Sequence, residues 1–230
     1  MRERLLLEKS AVGFYLSGHL FQEHEAEVRR FCKRQIADLA DSRDPQLLAG
    51  IVSELRFVSG QRGRVAIFKL DDRSETIEAV ANEELIDANK DLLAEDELLI
   101  VQGKVQPDRF SGGLRLNVSA VWGLAGARAR FGRYLSLAPL APAAPSVAGR
   151  SGAAGGILPL AELVKTWPAR RELTDQGELV QGLALRLQIN RPGASAELDL
   201  GEAGRFWPTD EALARCKALA QDGRAAIVYE

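Results

Sequence analysis

The chain has 230 residues, 46% of them apolar and 27% charged, a composition that supports a packed core and excludes wholesale disorder. Lys and Arg total 30 against 32 Asp and Glu, which excludes a uniformly basic nucleic-acid coat but leaves room for a local basic face. No apolar run approaches the ~20 residues that a membrane helix needs. The two cysteines, Cys32 and Cys216, lie far apart in sequence and provide no disulfide framework, so a reducing, cytoplasmic setting is expected.

The opening run Met1 to Lys9 is too charged for a secretory signal, and a charged helix that starts without a capping residue reads as part of a longer polypeptide. Residues 1–45 predict a helical segment leading into the next domain. Leu5, Leu6 and Val12, then Phe21, Val28 and Phe31, are spaced for two short amphipathic helices, broken at Ser17-Gly18-His19-Leu20. So few apolar residues make no core, and the segment is expected to pack on a neighbour.

Residues 46–124 turn to β character. A first strand opens at Leu47 and runs to Val58, with Gly50 inside it and a turn at Ser59 to Gly63. Arg64 to Leu70 predicts a second strand with Ala66, Phe68 and Leu70 on one face, and Thr76 to Ala81 a third, across a turn at Asp71 to Ser74. Asn82 is placed to cap a helix carrying Leu85, Ile86, Leu92 and Leu93. Leu98 to Val105 and Leu114 to Val121 complete the set around a hairpin turn at Ser111-Gly112-Gly113. Three strands, a helix and two strands is the order of an OB-fold, a small five-stranded barrel whose long first strand bends to join both sides.

Residues 125–156 read as a basic segment (Arg128, Arg130 and Arg133 around Phe131 and Tyr134) followed by a Pro/Ala/Gly linker from Pro139 to Gly156. Residues 157–230 predict a small α+β C-terminal module. It holds a helix ending near Pro168, an alternating strand from Leu179 to Ile189, and a partner strand from Ala196 to Leu200. A helix opened by Trp207-Pro208-Thr209-Asp210 and a final strand to Tyr229 complete it. The whole is thus α+β, mainly β.

OB barrels bind single strands across strands 2 and 3 and with the loops after strands 1 and 4. On that surface fall Arg62 and Arg64 after the first strand, Arg109, Phe110 and Arg115 around the fourth loop, and Arg56, Lys69, Arg73 and Lys104. Arginine and lysine track phosphates, and Phe110 offers a ring for a base. The barrel as a whole carries nine basic and thirteen acidic residues, so weak, salt-sensitive binding is expected. Neighbouring Asp71 and Asp72 point to opposite faces of a strand and read as a turn, not a metal pair. His19 and His24 lack a zinc set, and neither a phosphate-binding loop nor a nucleophile elbow is present. No cofactor or catalytic residue is therefore assigned. Trp207 and Tyr229 are candidate partner anchors.

The runs Glu8 to His19, Ala49-Gly50-Ile51-Val52, Phe68 to Ser74 and, most specifically, Asp108 to Leu116 resemble the OB region of the bacterial replicative DNA polymerase III alpha subunit family. Leu20 stands where that family usually has a proline. The ending, Gly204 to Tyr229, is similar to the family's C-terminal module more loosely. The resemblance implies that the barrel contacts single-stranded template DNA and that the C-terminal module binds the tau subunit of the clamp loader. The family's palm, fingers and PHP domain lie upstream of these runs, so this chain alone is expected to lack polymerase activity. The alternative left by the residues themselves is a free-standing OB module that binds RNA or tRNA.

Overall fold

The computed structural model describes residues 2–13, 15–42, 44–60, 63–108, 112–139, 158–174, 177–191 and 193–229. They form two compact units, Met1–Leu124 and Ala125–Glu230. Among the described residues no helix is long and apolar enough to cross a membrane.

The first unit is a closed barrel of five strands, β1 Gln46–Gly60, β2 Gly63–Asp71, β3 Thr76–Ala81, β4 Leu98–Pro107 and β5 Leu114–Trp122, in the order β1-β2-β3-β5-β4. Closure depends on β1. Its first half, Gln46 to Ile51, pairs with β4 and its second half, from Ile51 on, pairs with β2. Gly50 sits at the change of partner, where a β-carbon would come 2.9 Å from the Asp71 amide nitrogen, so only glycine lets the strands approach. Alternate side chains fill the interior: Leu48 and Val52, Ala66, Phe68 and Leu70, Ile77 and Ala79, Leu99, Val101, Val105 and Leu116 are all buried.

Between β3 and β4 runs α3 Glu83–Ala88, capped as expected by the Asn82 side chain, which accepts from the Leu85 amide. The helix is shorter than the apolar spacing predicts. Asn89 bonds back to the Leu85 carbonyl, and Leu92 and Leu93 reach the core from turns instead. Asn is a poor helix continuer because its amide competes for backbone partners.

The N-terminal residues belong to this unit and supply part of its wall. α1 Arg2–Val12 is helical, but the second predicted helix collapses into a 3-10 turn, Leu20–Glu23, and a single α-turn, α2 Glu25–Val28. Ile36 joins the barrel core, and the Cys32 thiol donates to the Leu47 carbonyl.

The second unit corrects the reading of residues 125–138 as a basic stretch leading to a linker. They form α4 Leu124–Phe131 and β6 Gly132–Pro139, and β6 is an interior strand of a four-stranded sheet, between β9 Ala184–Arg191, which β10 Ala194–Asp199 flanks, and β11 Ala220–Tyr229. Leu135 and Leu137 are buried, and Arg128 is buried with its guanidinium on the Pro208 carbonyl and Asp210. Arginine charge obscured a two-residue apolar alternation that marks a strand.

α5 Leu158–Thr166 is followed by the two-stranded ribbon β7 Arg170–Thr174 and β8 Gly177–Gln181. β9 Ala184–Arg191 and β10 Ala194–Asp199 follow, then α6 Asp210–Leu219, capped by Thr209, and β11 Ala220–Tyr229. The single predicted strand from Leu179 to Ile189 is therefore two, broken at Gly182. There a β-carbon would meet Ala169 at 2.8 Å and the Phe206 carbonyl at 3.0 Å, and Leu183 exchanges both backbone bonds with Phe206. The core of this unit gathers Leu135, Leu163, Leu185, Leu187, Phe206 and Cys216.

Candidate nucleic-acid interface

Strand register decides which outward residues become neighbours. Across the barrel wall Lys69 of β2 faces Glu78 of β3, Glu78 faces Arg115 of β5, and Arg115 faces Gln106 of β4. One step along the strands a second row runs Arg56 of β1, Ile67, Val80, Asn117 and Lys104. The outer face of β2, β3 and β5 thus pairs a charged row with a small apolar strip, Ile67 and Val80, and Asn117 bonds to Gln106 at 3.1 Å. A face with an apolar strip beside cations suits a strand whose bases and phosphates lie on opposite sides.

Arg56 reaches this face through a β-bulge. The register of β1 against β2 shifts by one residue between Ser53 and Arg56, with Glu54 at φ 52°. One extra residue reverses the side every later residue faces. Without it Arg56 would face Ala66 and the barrel interior; with it Arg56 lies opposite Ile67 and its guanidinium meets Glu78 at 3.1 Å. The Glu95 carboxylate accepts from the Leu55 amide and holds the bulge in place.

The cations of this face are engaged within the barrel. Arg115 lies 2.6 Å from Glu78 and 3.3 Å from the buried Asp108, and Lys69 lies 2.7 Å from Glu54. Asp108 also anchors the base of the loop between β4 and β5, exchanging backbone bonds with Gly112 and Gly113. Lys104 is exposed on β4, one strand beyond Arg115. Arg73 does not join the group. It stands in the turn from β2 to β3 and pairs with Glu25 at 2.6 Å. Arg62, Arg109 and Phe110 lie outside the described residues.

One residue near the end of β1 and one at the start of β2 form a separate feature. The last β2–β3 pair is Ala66 with Ala81, so the β1–β2 ribbon extends past β3 from the Val58–Val65 pair to the Gly60–Gly63 pair, with Phe57 opposite Ala66 at its base. On one of its faces the Arg64 guanidinium lies 4.4 Å from the centre of the Phe57 ring, and Phe57 is 44% exposed. Phe57 was not singled out in the sequence because an aromatic in a strand reads first as core. The bulge sets Phe57 opposite the inward-facing Ala66, and the ring is exposed because this pair closes the β2–β3 ladder at the end of the barrel.

Asp71 and Asp72 are structural in this barrel. Asp72 has no exposed side-chain surface and accepts from Arg29 at 2.7 Å, from the Ile36 amide and from Ser74. Burial opposes its ionisation, yet the bonds from Arg29, Ser74 and Ile36 outweigh that and hold the carboxyl below its ordinary 3.8. Asp71 lies 3.1 Å from His19 Nε2, while His19 Nδ1 accepts from the Phe21 amide. Burial works against the Asp71 charge too, and the His19 and Arg73 bonds lower its pKa in balance. Sequence reasoning set His19 aside. Its role as a strut between the N-terminal segment and the barrel has no local signature.

In the second unit Trp207 lies beneath the Arg170 guanidinium, 3.9 Å from its ring centre. Tyr229 packs half-buried against that unit's core.

Residues 47–122 match the model of the OB-fold nucleic acid binding domain, a span that coincides with β1 to β5. Curated proteins extend the match beyond the barrel. DNA polymerase III subunit alpha of Pseudomonas aeruginosa is 43% identical over 129 residues, 56% of this chain and 11% of that protein. The Vibrio cholerae subunit is 29% identical over 219 residues, 94% of this chain and 17% of that protein. Its relatives are DNA polymerase III alpha subunits. The Escherichia coli alpha subunit adds 32% identity over 135 residues, 57% of this chain and 12% of its own length. The chain therefore spans only 11–17% of the alpha subunits it matches. Among solved structures, the second OB domain of replication protein A from Methanococcus maripaludis is 18% identical at a TM-score of 0.32. It covers 40% of this chain and 93% of that one. A small single-stranded DNA-binding protein from Streptomyces coelicolor is 17% identical at 0.31, covering 36% and 94%. At scores this low the likeness adds nothing to the barrel already described.

Proposed function

We propose that this chain is a non-catalytic segment of a DNA polymerase III alpha subunit in the cytoplasmic replicase. Its barrel unit guides single-stranded template DNA across the outer face of β2, β3 and β5, and its second unit binds the tau subunit of the clamp loader. The observation that carries the DNA reading is the register-built face in which Arg56, Lys69 and Arg115 surround Ile67 and Val80. The kinship with alpha subunits supports the replicative setting. Asp71 and Asp72 are occupied as struts and are not carried over as catalytic carboxylates.

Binding on this face is expected to be tolerant of sequence, since its described cations are placed for phosphates rather than base edges. Fluorescence anisotropy of labelled oligo-dT, titrated with the chain at low and physiological salt, checks the reading. Binding that weakens with salt at a slope of about 0.7 per neutralised phosphate supports it. Absence of binding at low salt overturns the barrel's part of it, and tight binding to a structured RNA with none to oligo-dT favours the RNA-binding alternative. Co-purification with tau, lost on Trp207→Ala, tests the second unit.

A further inference from the structure

Resting on the DNA reading above, we infer that Glu78 limits the affinity of the strand face by occupying, between Arg56 and Arg115, the place a phosphate must take. Glu78 is the one acid of the β2–β3–β5 charged row. A single carboxylate there meets the guanidinium of Arg56 at 3.1 Å and that of Arg115 at 2.6 Å. Its side chain is 27% exposed, although the Oε1 atom that faces Arg115 is itself buried. A carboxylate bridging two arginines matches the charge sign and hydrogen-bonding geometry of a phosphate oxygen pair. Glu54 does the same on a smaller scale, holding Lys69 at 2.7 Å.

The consequence is a competition. A DNA strand landing on this face exchanges each internal ion pair for a phosphate pair, so its net gain is the difference between two similar interactions. The released carboxylate then lies close to the incoming phosphate and repels it. Fewer counterions are displaced than the number of cations suggests, and both affinity and salt slope are held down. Such a face holds a strand without trapping it, which suits a template that must move.

The test is Glu78→Gln, which keeps the shape and hydrogen-bonding capacity of the side chain and removes its charge. Glu54→Gln frees Lys69 alone. Asp91→Asn makes the same change in net charge at an exposed turn after α3. Oligo-dT affinity and its salt slope are measured for each, with thermal midpoints confirming the fold. Glu78→Gln is expected to bind about three- to tenfold more tightly than the unaltered chain, the scale of losing one or two exposed pairs. Its slope should steepen by about 0.7 to 1.4, the lower end because Arg115 keeps Asp108. Glu54→Gln shows a smaller gain, and Asp91→Asn less still. Binding by Glu78→Gln alone supports the inference as well. Unchanged or weaker binding, or a gain matched by Asp91→Asn, overturns it and leaves the DNA reading standing. No binding by any variant overturns both.

Discussion

Asp72→Ala is expected to destabilise the barrel unit by about 3–5 kcal/mol, the cost of breaking a buried ion pair and leaving its partner uncompensated. The carboxylate is wholly buried and satisfies four donors from three residues: the Arg29 guanidinium, the Ile36 amide and the Ser74 amide and hydroxyl. Alanine strands Arg29, whose side chain is only 18% exposed, and leaves the Ile36 amide without its acceptor. Urea unfolding followed by intrinsic fluorescence reads the loss, and a change under 1 kcal/mol would refute the strut role. The pH dependence has a fixed sign. The Asp71 and Asp72 carboxyls titrate below their ordinary 3.8 in the folded barrel, so their stabilisation is complete above that value and is lost as pH falls through the lower folded value. Hydrogen exchange at acid pH should therefore show residues around Arg29 and Ile36 opening first, and Asp72→Asn should open the same residues at neutral pH.

Phe57→Ala is expected to weaken oligo-dT binding by about 1–3 kcal/mol, the range for losing one base stack. The ring is exposed at the base of the ribbon that outruns β3, so its removal should leave the thermal midpoint nearly unchanged. Arg64 already covers the ring. Arginine on an exposed aromatic contributes only about 0.5–1 kcal/mol, less than a base stack, so a base competes with it successfully or sandwiches it. Arg64→Gln should instead lower the salt slope by about 0.7, the signature of one lost phosphate contact. Equal effects of both substitutions on slope and on affinity at fixed salt would show that this ribbon does not divide stacking from charge.

Much of the barrel was legible in one dimension. Ala66, Phe68 and Leu70 alternate because a half-buried strand must, and all three are buried. Asn82 capped its helix because a short polar side chain before an apolar run satisfies an amide that the helix leaves open. The errors share a cause. At 125–138 three arginines hid the alternation of Leu135 and Leu137, because a buried arginine such as Arg128 needs partners, the Pro208 carbonyl and Asp210, that lie some eighty residues away. At Gly182 the strand broke because another backbone, Phe206, presses against it.

The candidate site divides the same way. Residue types and alternation by themselves determined that this protein has an OB-like barrel whose outer strands carry arginine and lysine, since periodicity is a local property of a chain. Which of those cations share a face was decided only by tertiary structure, because facing is set by pairing register. One extra residue between Ser53 and Arg56 turned Arg56 outward to Glu78, and the pairing of β3 with β5 brought Arg115 to the same carboxylate from thirty-seven positions away.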